Sequence, residues 1–190
     1  TIPLIWPFAV WGLDMVDNLR TCRSGFTHVL VAVDKFTKWI EAKPIKNLEA
    51  STAVSFIREL IFRYGVPHSI ITDNRSNFYS DEFRAFCASQ GMRVDYALVA
   101  HPQSNGQAER ANGLILKGLK PRLMRDLKHA AEAWVDELPS VLWGLRTTPN
   151  RSTGRTPFFL VYEAEVVLTS DLLHNAPRVE LFSEEEAEQA

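Results

Sequence analysis

Trp11-Gly12-Leu13-Asp14-Met15-Val16 alternates along the chain. Trp11, Leu13 and Met15 fall on one side, and Gly12, Asp14 and Val16 on the other. A period of two predicts a strand that carries one carboxylate, Asp14, on the face opposite its bulky residues. Residues 20–25 (Arg-Thr-Cys-Arg-Ser-Gly) read as a turn. The β-branched run from Phe26 to Asp34 reads as a second strand, and Thr37 to Pro44 as a third. Three strands with short connections predict an antiparallel meander.

Beyond the meander the period changes. Asn47 is expected to cap a helix with Glu49 in its first turn. Ala50, Val54, Ile57, Ile61 and Tyr64 follow helical spacing, and Gly65 and Pro67 end the run. A short apolar strand, His68–Thr72, leads to Asp73. Ser80 is expected to cap a second helix with Phe83, Phe86 and Cys87 inside, and Gly91 to end it. Met92, Val94 and Tyr96 alternate as a fifth strand. A helix is expected from about Gln107. Another spans roughly 131–147, with Trp134, Leu138, Val141, Leu142 and Leu145 on one face and a kink at Pro139. Periodicity alone supports a mixed α/β domain over residues 1–170, with 171–190 a poorly packed acidic tail.

With 46% hydrophobic residues, the 190-residue chain can build one domain with a real core. No apolar run approaches the roughly 18 residues that cross a bilayer. Thr1 stands where an initiator Met would be, and reads as an internal residue of a longer polyprotein. Cys22 and Cys87 read as free thiols, and no histidine pairs with a cysteine at zinc spacing. The net charge of −2 argues weakly against nucleic acid, but its distribution does not. Glu180, Glu184, Glu185, Glu186 and Glu188 lie in the tail; without them 18 acids oppose 21 bases. Arg110, Lys117, Lys120, Arg122, Arg125 and Lys128 cluster with only Asp126 against them. Such a run can track a phosphate backbone or be a plain solvated helix face.

Two further carboxylates join Asp14. Asp73 stands in Ile70-Ile71-Thr72-Asp73-Asn74, and Glu109 in His101-Pro102-Gln103-Ser104-Asn105-Gly106-Gln107-Ala108-Glu109-Arg110, with 35 residues between the two. Each has an ordinary reading alone: a strand-edge residue, a turn, a helix-dipole partner. Asp34, at another strand end, competes with Asp14 by spacing. Taken together with their surroundings, the three resemble the D,D-35-E set of retroviral and retrotransposon integrases. From Trp11 to about Asp171 the chain is similar to the integrase catalytic core of gypsy-type LTR retrotransposons, of the kind abundant in plants.

The resemblance implies a ribonuclease H-like fold, a mixed five-stranded sheet flanked by helices. It implies that Asp14, Asp73 and Glu109 are catalytic and hold two Mg2+ or Mn2+ ions, hard cations suited to carboxylate oxygens. It implies a polynucleotidyl transferase that processes 3′ ends and joins element DNA to host DNA, on double-stranded DNA, in the nucleus and as a homo-oligomer. Asn105, Gln107, Arg110, Lys117 and Lys120 are the expected DNA contacts, and Asp34 is expected to be structural.

The chain departs from the family pattern at several points. Arg75 and Glu163 stand where glycine is usual, Asp17-Asn18 where Gly-Pro is usual, and Pro121 interrupts the basic helix. Arg75 puts a cation beside Asp73, so an impaired copy is expected. The alternative from another class is a non-catalytic nucleic-acid-binding remnant of the same fold. A ribonuclease H-type nuclease would need a fourth acid that the sequence does not offer.

Overall fold

Pairing of the first three strands sets the frame. In the computed structural model, which describes residues 6–16, 19, 21–22, 24–47, 49–72, 78–96 and 133–174, β1 (Val10–Val16) runs antiparallel to β2 (His28–Asp34). β2 runs antiparallel to β3 (Ile40–Ile45). Helix α1 (Ala50–Tyr64) then returns the chain, so β4 (Ser69–Thr72) lies parallel to β1 on its other side. Helix α2 (Asp81–Ser89) repeats the move and β5 (Arg93–Tyr96) lies parallel to β4. The order is β3-β2-β1-β4-β5, the expected mixed five-stranded sheet. Helices α3 (Trp134–Thr147), α4 (Pro157–Tyr162) and α5 (Thr169–Leu173) complete the described elements.

The sheet separates two apolar layers, and the alternation in β1 decides which residue joins which. Trp11, Leu13 and Met15 pack with Ala53, Phe56, Ile57 and Leu60 of α1 and Phe83 and Cys87 of α2. Val16 joins Val29, Val31 and Val33 of β2 under Trp134, Leu138, Val141 and Leu142 of α3. β2 is buried on both faces, which is why it reads as a β-branched run without polar alternation. Each Leu, Ile or Phe so buried contributes about 1.5–3 kcal/mol relative to exposure.

Several local expectations are corrected. The N-cap of α1 is Glu49, not Asn47, and its side chain makes no capping bond. The stripe of α1 is rotated toward Ala53, Phe56 and Leu60. β2 begins at His28 rather than Phe26, and β3 at Ile40 rather than Thr37, because residues 35–39 form a turn. β4 begins at Ser69. Ser80 does cap α2, accepting the Phe83 N–H at 3.2 Å. Pro139 lies inside α3, as expected, on its exposed side. Helices α4 and α5 were not expected. Thr156 caps α4 by accepting the Phe159 N–H at 2.9 Å, and Pro157 takes the first helical position, where its missing N–H costs nothing.

Candidate active site

Asp14 lies near the C-terminal end of β1, half-buried, on the face covered by α3. Its Oδ1 accepts the N–H of Met15 at 2.6 Å. Its cross-strand neighbour is Val31, and its same-face neighbour two residues on is Val16. Both belong to the layer under α3, so one side of the carboxylate rests on a rigid apolar shelf.

The parallel register settles where β4 ends relative to Asp14. Trp11 pairs with Ile70 and Gly12 with Ile71. The chain therefore leaves β4 at Thr72, one step short of the level of Asp14. C-terminal ends of adjacent parallel strands are where α/β sheets place their ligand sites. Asp73, Glu109, Asn105, Gln107, Arg110, Lys117 and Lys120 lie outside the described residues, as does Arg75. Among the described residues no group of three His, Cys, Asp or Glu side chains could hold a metal ion. The described donor is thus a single carboxylate, chemically suited to a hard divalent cation and needing partners from beyond the described residues.

Asp34, the rival carboxylate, pairs with Trp11. At roughly 3.3 Å per residue it lies about 10 Å from the level of Asp14, toward the opposite end of the sheet. It is wholly buried, and its Oδ2 accepts the Thr37 N–H at 2.8 Å and the Thr37 hydroxyl at 2.6 Å. The Thr37 Oγ1 in turn accepts the Trp39 N–H at 3.1 Å. Burial pushes the Asp34 carboxyl above its ordinary value, against the pull of the Thr37 hydroxyl and N–H. Among the described residues its Oδ1 makes no hydrogen bond of ordinary geometry. Asp34 is the pin of the β2–β3 turn, the structural part expected for it.

Asp95 of β5 lies level with Ile71, near this end, but its carboxylate is engaged by Arg93 at 2.9 Å. Cys22 and Cys87 are both free and buried, and burial pushes the Cys87 thiol up to about 11. No described helix is long and apolar enough to cross a membrane.

Known proteins share this fold. The integrase core domain family matches residues 6–102, just over half of the 190-residue chain. The Gag-Pol polyprotein of feline leukemia virus is 32% identical over 160 residues, covering 83% of this chain and 9% of that polyprotein. The chain therefore spans a small fraction of such a relative. Among solved structures, a chain of the simian T-cell lymphotropic virus intasome in complex with the PP2A regulatory subunit B56 gamma aligns with a TM-score of 0.70 at 23% identity, covering 86% of this chain and 58% of that one. The HTLV-2 integrase catalytic core domain in complex with magnesium aligns at 0.63 and 23% identity, covering 83% of this chain and 97% of that one. These likenesses carry the fold, and the family match together with the identity to that polyprotein carries the assignment: the chain belongs to the integrase core domain family of the retroviral integrase superfamily.

Proposed function

We propose that this chain is the catalytic core of an integrase, a Mg2+- or Mn2+-dependent polynucleotidyl transferase that processes the 3′ ends of element DNA and joins them to host DNA. The observation that carries the proposal is the register of β1 and β4, which brings Asp14 and the strand leading to Asp73 to the same end of the sheet. Asp73 follows Thr72, the last residue of β4, directly in the chain, and Glu109 completes the family's carboxylate set.

In this reading Asp14, Asp73 and Glu109 hold two divalent cations. Such cations, when bound, would supply activation of an oxygen nucleophile and stabilisation of a leaving oxygen. The chain's own part is to orient the carboxylates and exclude water. The Met15 N–H holds Asp14 Oδ1 at 2.6 Å and so orients the carboxylate. Asn105, Gln107, Arg110, Lys117 and Lys120 contact double-stranded DNA. Copies assemble, as the names of the similar HTLV-2 cores, in trimeric and dimeric forms, suggest for those proteins. The chain derives from a gypsy-type element polyprotein and works in the nucleus.

A strand-transfer assay with Mg2+ tests this, with Asp73→Asn as the control. A neutral amide fits the same space but cannot replace an anionic ligand, so transfer is expected to vanish while the fold survives. Unchanged transfer in that variant would place the chemistry elsewhere.

A second reading, a non-catalytic nucleic-acid-binding remnant, is favoured by one observation: Arg75 stands two residues after Asp73, where the family pattern the chain resembles has glycine. A cation there opposes the gathering of divalent ions. Arg75→Gly should tighten Mg2+ binding in isothermal titration. Equal affinities would remove the reason for calling the chain impaired.

A further inference from the structure

The face that carries Asp14 is covered by α3, and Arg146 adds directional bonds to the apolar packing and the Trp143–Phe158 contact that hold that helix. Arg146, in the last turn of α3, reaches around the outer edge of β3. Its Nε and Nη2 donate to the Ile40 carbonyl at 3.0 and 2.7 Å. Nη2 lies 3.1 Å from Oε1 of Glu41, and the guanidinium sits over the Trp39 ring, 4.5 Å from its centroid. Glu41 and Trp39 belong to the other face. The Trp39 Nε1 donates to Glu41 Oε1 at 2.9 Å, the Tyr64 hydroxyl of α1 bonds the same oxygen, and Arg63 reaches Oε2 at 2.7 Å. One guanidinium therefore fastens the α3 layer to the α1 layer across the edge of the sheet.

The geometry matters for Asp14 because of what α3 rests on. Its apolar face packs on Val16 and Val31, the two same-face neighbours of that carboxylate. Apolar packing alone leaves a helix some freedom to slide along such a shelf. Directional bonds at its C-terminal end remove that freedom. A planar, five-donor guanidinium can bond the carbonyl and carboxylate while stacking on the indole, which an ammonium cannot do at once.

We propose that Arg146 is a positioning residue for the Asp14 site: by fastening α3 around β3 to Glu41 and Trp39, it fixes the Val16–Val31 shelf that orients the Asp14 carboxylate for a divalent cation. This rests on the assignment of Asp14 as a metal ligand. Residues that orient a ligand from behind change metal affinity by about 10- to 100-fold when lost, and the lower end suits a contact made through a helix.

The test uses the full chain with Arg146→Lys, and Glu41→Gln as a milder second variant in case the first folds poorly. Three quantities are measured well below the melting temperature: Mn2+ affinity by electron paramagnetic resonance, amide hydrogen exchange across residues 134–147 without metal, and kcat and KM for DNA strand transfer. Arg146→Lys is expected to weaken Mn2+ binding about tenfold, to speed exchange in α3, and to lower kcat with KM for DNA unchanged. A lowered melting temperature beside wild-type Mn2+ affinity and kcat would overturn the proposal and leave Arg146 a structural fastening only. Asp14→Asn runs in parallel: Mn2+ affinity indifferent to that change would overturn the metal-ligand assignment itself, and this proposal with it.

Discussion

Asp14 and Asp34 stand on neighbouring strands of one sheet, toward its two ends, and the chain treats them oppositely. Asp34 is sealed from solvent and holds a turn together through two bonds from Thr37. Asp14 is left half-buried, with the Met15 N–H fixing one oxygen at 2.6 Å. A buried carboxylate bonded into the turn that follows it stabilises a fold. A half-buried one at the C-terminal end of parallel strands can serve a ligand. Spacing in the sequence does not separate their surroundings; burial and hydrogen bonding do.

The largest expected effect is on activity. Asp14→Asn should reduce Mg2+-dependent strand transfer by more than about 100-fold, since metal stabilisation of the transition state is worth several kcal/mol and each 1.4 kcal/mol is a factor of ten. Its melting temperature should stay close to the wild type. Persistent transfer, or a collapsed melting temperature, would erase the contrast with Asp34.

Asp34→Ala should do the reverse. It strands two buried donors of Thr37, at about 1–3 kcal/mol each. Urea unfolding should show a loss of roughly 2–4 kcal/mol, with transfer per folded molecule unchanged. A loss of specific activity would mean that Asp34 touches the chemistry after all.

A third comparison sets Asp34 against Glu41, two buried carboxylates with opposite pH behaviour. Burial raises the Glu41 carboxyl, but the Tyr64 hydroxyl, Arg146, the Trp39 indole and Arg63 together outweigh it and bring it below its ordinary value. Its contribution is therefore complete above the unfolded pKa of about 4.3 and is lost as pH falls through the lower folded value. Asp34, raised by burial, contributes most in acid, and that contribution is lost as pH rises through its folded value. Glu41→Gln should cost about 1–3 kcal/mol at pH 7, with the gap to the wild type closing in acid. Asp34→Asn, which keeps an acceptor for Thr37, should gain on the wild type as pH rises. Urea midpoints from pH 3 to 7 would show parallel curves if both assignments were mistaken.

The smallest effect concerns Glu163. It ends α4 with φ 53° and ψ 20°, the left-handed region. A side chain there costs about 1–2 kcal/mol, partly offset because glycine frees the unfolded chain. Glu163→Gly should stabilise the fold by about 1 kcal/mol in thermal unfolding; a neutral or negative result would show that Glu163 makes up the strain by some other contact.

Much of this was legible beforehand. The alternation of Trp11–Val16 assigned both faces of β1, and the run Trp134, Leu138, Val141, Leu142 marked the buried side of α3. Ser80 announced its helix because a cap is a local device. Asn47 misled for the same reason: a good capping residue lay two positions early, while Glu49 at the true boundary makes no side-chain bond. Helix α4 carried the signature Thr156-Pro157, but six residues are too few for a period to show. The contact between Glu41 and Arg146 joins residues far apart in the chain, and nothing local in either segment reports it. The expectations for Asp73, Glu109 and the basic run lie outside the described residues.

The outer edge of β3 carries one more consequence. The Trp39 and Ile45 carbonyls bond the N–H groups of Asp34 and Thr27, so the odd-numbered residues of this strand turn toward β2, and Ile40, Ala42 and Pro44 turn outward. Arg146 takes the Ile40 carbonyl, and Pro44 has no N–H to offer. An extended segment arriving at this edge finds Ala42 alone with both its amide and its carbonyl free of these blocks, too little to build a ladder. Among the described residues, strand addition along this side is therefore disfavoured.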